Sequence, residues 1–202
     1  MHTRHQRKRS RRAGNVMLEF GLVITPLVVL LLGVTVVGLN LGRSIRGNQV
    51  ARDAASMYVR GIDFSKEGSK DLLVRLADRL GMTRNGGRGV VIFSKVTWIP
   101  QSKCDALELD PCNGDRHVIV QRLVVGNAGL RQSALGTPDP SLLDSKGLVD
   151  NYLQEGSAVA DLVGLTLHEG EYAYVAESYF QSPDFDMPGF QSGTGVYSRA
   201  IF

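Results

Sequence analysis

Phe20-Gly21-Leu22-Val23-Ile24-Thr25-Pro26-Leu27-Val28-Val29-Leu30-Leu31-Leu32-Gly33-Val34-Thr35-Val36-Val37-Gly38-Leu39-Asn40-Leu41 contains no charged side chain. As a helix this run rises roughly 33 Å, close to the hydrocarbon thickness of a bilayer. The block Leu27-Val28-Val29-Leu30-Leu31-Leu32 is apolar all round, which a surface helix is not. A buried core helix is the competing reading, but core helices of this length usually keep a polar face. Pro26 is tolerated early in a membrane helix and is expected to bend it. The spacing therefore predicts one transmembrane helix, and the fold is worked out from its two flanks.

On the N-terminal side lie Arg4, Arg7, Lys8, Arg9, Arg11 and Arg12, with no acid among them. Removing these six from the 23 basic residues leaves 17 against 20 acids, so the remainder is close to −3 although the whole chain is +3. The basic character is thus a local signal, and a nucleic-acid-binding surface is not expected. On the C-terminal side Arg43, Arg46 and Arg52 follow, with Asp53 beside them. The larger cationic cluster stays in the cytoplasm, so everything after Arg43 is expected to be exported. A discarded secretory signal fits less well. Its apolar core would span roughly 7–15 residues and end at a small-x-small site, which is absent here.

Glu19 stands at the mouth of the span. An unpaired carboxylate in lipid costs several kcal/mol, so such a group has a partner, or else sits solvated at headgroup level. Its surroundings are Arg11-Arg12-Ala13-Gly14 followed by Asn15-Val16-Met17-Leu18-Glu19-Phe20. This pattern resembles the processing site of class III signal peptides in type IV pilins. Together with Asn48-Gln49-Val50-Ala51-Arg52-Asp53-Ala54-Ala55 and the aromatic C-terminal segments, it resembles the TadE-like family of tight-adherence (Flp-type) pilus proteins. The resemblance implies cleavage between Gly14 and Asn15 by a prepilin peptidase. It also implies that Glu19, next to Phe20, pairs with the new N-terminal amine of a neighbouring subunit. The implied partners are the peptidase, other pilin or pseudopilin subunits, the pilus assembly platform and inner-membrane lipid.

The domain boundaries follow: a basic cytoplasmic leader at 1–14, a transmembrane helix at 15–42, and an exported domain at 43–202 whose first helix continues over 43–61. Val50, Ala51, Ala54, Ala55 and Tyr58 fall at helical spacing and form a small-residue stripe suited to close packing on a sheet. Gly61 ends that helix. A second helix is predicted over 69–80, with Leu72, Leu73, Leu76 and Leu80 as its apolar face and Gly81 as its stop. Asn85-Gly86-Gly87-Arg88-Gly89 is a loop that lacks the Gly-Lys-Ser/Thr of a phosphate-binding loop.

Strands are predicted over 90–99, 118–125, 172–180 and 196–202 from their β-branched and aromatic content. A short helix is expected over 142–153, and 158–167 is open between helix and strand. Pro183 to Gly195 reads as a loop whose Asp184-Phe185-Asp186 lacks the other ligands of a calcium site. Cys104 and Cys112 in an exported domain are best read as one disulfide closing a loop at a hairpin tip. Free thiols, or a zinc site with His117 as its sole helper, are the alternatives. The fold class is α+β: a long N-terminal helix continuing as a stalk, packed on a small antiparallel sheet with one or two further helices.

His2, His5, His117 and His168 share no motif, and neither Gly-x-Ser-x-Gly nor His-Glu-x-x-His occurs, so no enzyme, cofactor or metal is expected. The expected function is a minor pilin or pseudopilin that assembles or primes a tight-adherence type IV pilus at the bacterial inner membrane. The alternative is an uncleaved membrane-anchored scaffold or binding protein of the same machinery.

Overall fold

The computed structural model describes residues 10–182 and 195–202, with side chains from Val16 onward. Residues 1–9 of the basic leader, and Asp184-Phe185-Asp186 with most of their loop, lie outside the described residues. The chain divides into two units, Met1–Gly42 and Arg43–Phe202. The architecture is α+β, with a long N-terminal apolar helix and a small antiparallel sheet.

Helix α1 runs Ser10–Val59 with Pro26 inside it. Its end is set by Gly61 at φ +83°, where Gly61 N–H donates to Tyr58 O and Ile62 N–H donates to Met57 O. That pair of bonds is a Schellman closure, which the left-handed glycine makes possible. Helix α2 covers Glu67–Leu76 and passes through a 3₁₀ turn at Asp78–Leu80 to Gly81, also left-handed at φ +73°.

The predicted apolar face of α2 is corrected. Leu73 and Ala77 are buried beside Phe64, whereas Leu72 and Leu76 are exposed. Four leucines at mixed spacing allow two faces, and tertiary contact with Phe64 and Phe93 selects the line of Leu73 and Ala77.

The loop at 85–89 contains a small ribbon, β1 (Met82–Thr83) against β2 (Gly86–Gly87). Strands β3 (Gly89–Ile99), β4 (Arg116–Gly126), β5 (Tyr172–Phe180) and β6 (Val196–Ile201) form one antiparallel sheet in the order β4-β3-β5-β6. The β3–β4 register shifts by one residue between Lys95 and Val96, leaving Val120 as the extra residue of a bulge. The helix expected over 142–153 is absent. Pro140–Leu142 is a single 3₁₀ turn, and the chain then bridges Leu143 to Val149 and Leu148 to Gln121. The segment at 158–167 is neither helix nor strand. It follows a 3₁₀ turn at Gly156–Ala158 and touches β4 through a Val118–Val159 bridge.

Each face of the sheet has its own cover. On one, Val50, Ala51, Ala54, Ala55 and Tyr58 of α1 pack on Val91, Phe93, Leu123, Val125 and Ala176, as the stripe predicts. Ala54 and Ala55 are fully buried, so the helix backbone lies close to the sheet. Phe64 stacks on Phe93 with ring centroids 4.2 Å apart, and Tyr58 meets Phe93 and Tyr174 at 5.2 Å each. On the other face the coil between β4 and β5 supplies Leu135, Val149, Ala158, Ala160, Leu162 and Leu167 against Val96, Ile119, Ala173 and Val175.

The same coil covers the outer edge of β4. Arg122 N–H donates to Gly147 O at 2.7 Å, Val149 N–H to Val120 O at 3.1 Å, and Ala160 N–H to His117 O at 2.8 Å. Gly147 is at φ +71°, and a Cβ there would stand 2.1 Å from Arg122 O, so only glycine permits this approach.

Candidate functional site

The N-terminal unit offers a surface rather than a cavity. It holds the one helix among the described residues that is long and apolar enough to cross a membrane, with mean hydropathy 2.7 and none of that stretch buried. Leu22, Met17, Val34, Leu30 and Phe20 all lie open on different sides of the helix. Its hydroxyls are satisfied internally: Thr25 donates to Gly21 O at 2.9 Å and Thr35 to Leu31 O at 2.8 Å. Such back-bonding is how a hydroxyl is accommodated in lipid. A Cβ added at Gly21, Gly33, Gly38 or Gly42 would meet nothing within 4 Å.

Glu19 and Phe20 are both exposed, and Glu19 meets no cation among the described residues. Gly14 and Asn15 lie within the helical backbone of α1, ahead of the residues whose side chains are described. The structure therefore sets the proposed processing bond and Glu19 on one continuous helix, with Asn15 one turn ahead of Glu19.

In the C-terminal unit Cys104 and Cys112 form a disulfide with Cα atoms 6.0 Å apart. Cys104 lies on helix α3 (Gln101–Ala106) in the β3–β4 connection, where a plain loop was expected. Cys104 packs with Ile99 and Val118 at the end of the sheet. Closing so short a loop is worth about 2 kcal/mol in the chain-entropy account. Reduction is accordingly expected to lower the denaturant-unfolding free energy of the domain by about 2 kcal/mol. The fluorescence of Trp98, the sole tryptophan, reads this out. An unchanged midpoint after reduction would remove the disulfide from the list of stabilising features.

A buried charge pair escaped the sequence reading. Arg122 on β4 and Glu177 on β5 are 5% and 2% exposed, with Nη1 and Oε2 4.0 Å apart. Glu177 accepts from the Ser133 hydroxyl, from Ala134 N–H at 2.9 Å and from the Tyr197 hydroxyl at 2.6 Å. Arg122 Nη2 donates to Gly136 O at 2.5 Å, while its Nε and Nη1 have no hydrogen-bond partner among the described residues. Burial pushes the Arg122 guanidinium down to about 10, against the pull of Glu177 and Tyr58. Burial and the Glu177 bond together push Tyr197 up to about 12, and burial raises Tyr58 as well. The pair thus fastens the coil at 133–136 to the sheet.

One signal for it was present in the sequence. Glu177 shares the strand phase of Ala173 and Val175, and so takes an inward position. Its partner depends on register across three strands, which no local pattern encodes.

His117 and His168 are not brought together with a nucleophile. His117 is set edge-on to Trp98 at 5.0 Å, its Nε2 is buried without a hydrogen-bond partner among the described residues, and desolvation lowers its pKa. His168 is exposed and faces Glu171 at 3.2 Å. Among the described residues no three of His, Cys, Asp and Glu are grouped to hold a metal ion. Compared with protein-family models, with curated proteins and with solved structures, the chain matches none.

Proposed function

We propose that the chain is a minor pilin or pseudopilin that assembles or primes a tight-adherence type IV pilus. Residues 15–42 anchor it in a bacterial inner membrane, with the N-terminus cytoplasmic and the C-terminal domain on the outer side. The observation that carries this reading is that the apolar N-terminal part of α1 is left uncovered on all sides and has one acid, Glu19, at its start. In a plain anchor a carboxylate there is at best solvated at headgroup level and adds nothing to anchoring. Polymerising stems do have a use for it. Trimming after Gly14 by a prepilin peptidase creates an ammonium at Asn15, about 6 Å from Glu19 along the helix axis. When stems pack side by side, carboxylate and ammonium of neighbouring subunits relieve each other's desolvation and fix the axial offset. The remaining apolar surface packs against like stems, and the C-terminal domain presents the surface that meets other subunits and the assembly platform.

One observation favours a second reading, an uncleaved membrane-anchored scaffold. Helix α1 runs unbroken through the Gly14-Asn15 bond, and a helical bond must unwind before a protease can cleave it. N-terminal sequencing of the protein extracted after co-expression with a prepilin peptidase separates the two. The first reading expects a start at Asn15 and, for Gly14→Ala, a start at Met1. A start at Met1 in both chains would eliminate processing and leave the scaffold.

A further inference from the structure

The C-terminal unit contains a cavity of about 130 Å³ lined by Arg43, Arg79, Arg88, Leu80, Phe180 and Val196, among others. This volume is several times the roughly 30 Å³ that one water occupies in the liquid. Three arginines line it from three elements: the start of the C-terminal part of α1, the 3₁₀ turn after α2, and the residue between β2 and β3. Among the described residues none of the three is paired with a carboxylate.

The scaffold that holds them is fixed. Arg88 N–H donates to Gly81 O and Arg88 O accepts from Gln181 N–H, each at 2.8 Å, and the Arg88 stem lies over Gly81. Leu80, Phe180 and Val196 give the cavity an apolar part. An adjoining cleft adds Arg46 and Arg75, with Asp53 and Asp78 as its acids.

Arginines without a carboxylate partner among the described residues, set around a hollow, are suited to a phosphate, which guanidinium binds through parallel N–H···O bonds. The apolar lining narrows the choice, because a free phosphate has nothing to place there whereas a lipid has its glycerol and first methylenes. The sequence adds position: Arg43 is the second residue after the apolar run ends at Leu41, so its guanidinium is at headgroup depth. We propose that this cavity binds the phosphodiester headgroup of an anionic phospholipid. The inference rests on the membrane-anchor reading above, but not on pilus assembly or on processing at Gly14. Its effect would be to hold the C-terminal domain down on the bilayer while the subunit is resident there.

The test uses the full chain reconstituted in vesicles of phosphatidylcholine, with and without phosphatidylglycerol, and counts the lipid retained after extraction by native mass spectrometry. The wild-type chain is expected to retain phosphatidylglycerol in preference to phosphatidylcholine. Arg79→Gln with Arg88→Gln is expected to lower that preference on the order of tenfold. Arg60→Gln with Arg116→Gln, which removes the same charge from exposed positions elsewhere, is expected to leave it unchanged. Equal loss in both double variants would overturn the site in favour of general surface attraction. Displacement of the lipid by inorganic phosphate at matched concentration would show a free-anion site and overturn the lipid proposal. Trp98 fluorescence during denaturation confirms that the variants are folded. Failure to enter vesicles of either composition would overturn the anchor reading and the site together. Entry without any headgroup preference would overturn the site alone.

Discussion

The Glu177→Ala chain is expected to lose about 3–5 kcal/mol of folding stability, the usual cost of stranding one member of a buried ion pair. Against a total domain stability of about 5–15 kcal/mol, this is a large share. Three donors lose their acceptor at once: the Ser133 hydroxyl, Ala134 N–H and the Tyr197 hydroxyl. Arg122 is left charged and buried with one hydrogen bond, to Gly136 O. The measurement is denaturant unfolding of the full chain in detergent, followed by Trp98 fluorescence. The double variant Arg122→Met with Glu177→Leu is expected to recover part of the loss, since apolar groups of similar volume do not need pairing. The hydrogen bonds to the coil at 133–134 stay lost, so recovery is incomplete. A Glu177→Ala cost below about 1 kcal/mol would mean that water reaches the pair, and that the coil is held by its leucines instead.

The second large effect is functional. Glu19→Ala is expected to leave trimming and membrane insertion intact, and to reduce incorporation into filaments by at least tenfold. A membrane-edge charge pair worth about 2 kcal/mol corresponds to a factor of roughly thirty in the subunit equilibrium. Glu19→Gln keeps the shape but not the charge and is expected to fail in the same way. The readout is the share of the chain in sheared filaments relative to the membrane fraction. Wild-type incorporation of Glu19→Ala would sink the registration role, while leaving the anchor unaffected.

The four strands were legible because each has its own local signature. Val90-Val91-Ile92-Phe93 and Tyr172-Ala173-Tyr174-Val175 have β-branched and aromatic content that suits no other element at that length. The α1 stripe was legible for the same reason, since helical spacing of Val50, Ala51, Ala54, Ala55 and Tyr58 is a one-dimensional pattern. The coil between β4 and β5 was not legible. It is held by side chains that cap backbone groups rather than by periodicity. Asn113 Nδ2 donates to Tyr152 O and Glu155 O, and Asp144 Oδ1 accepts from Lys146 and Leu148 N–H. The Asn113 bonds join segments 39 and 42 residues apart whose proximity is decided by the sheet, so they have no local signature, and the Asp144 bonds close a local turn that does not reveal what it packs against. The arginine cavity was missed similarly: Arg43 is distant in the chain from Arg79 and Arg88, and it meets them only once α2 and the ribbon are in place. In the candidate assembly surface, by contrast, charge and hydropathy are themselves the feature, so it could be read before any folding was considered.

The last strand fastens the beginning of the domain. Ser198 Oγ donates to Asn48 Oδ1 at 2.6 Å, Ser178 Oγ donates to Gly47 O at 3.3 Å, and Val196 lies against Gly47. Asn48 leaves the ribosome 150 residues ahead of Ser198. The alanine face of α1 is therefore made well ahead of β5 and β6, whose Ala176 and Ala200 complete its cover. A nascent chain halted before Val196 lacks Ala200 and the Ser198–Asn48 bond, leaves part of that face open and is expected to be prone to aggregate.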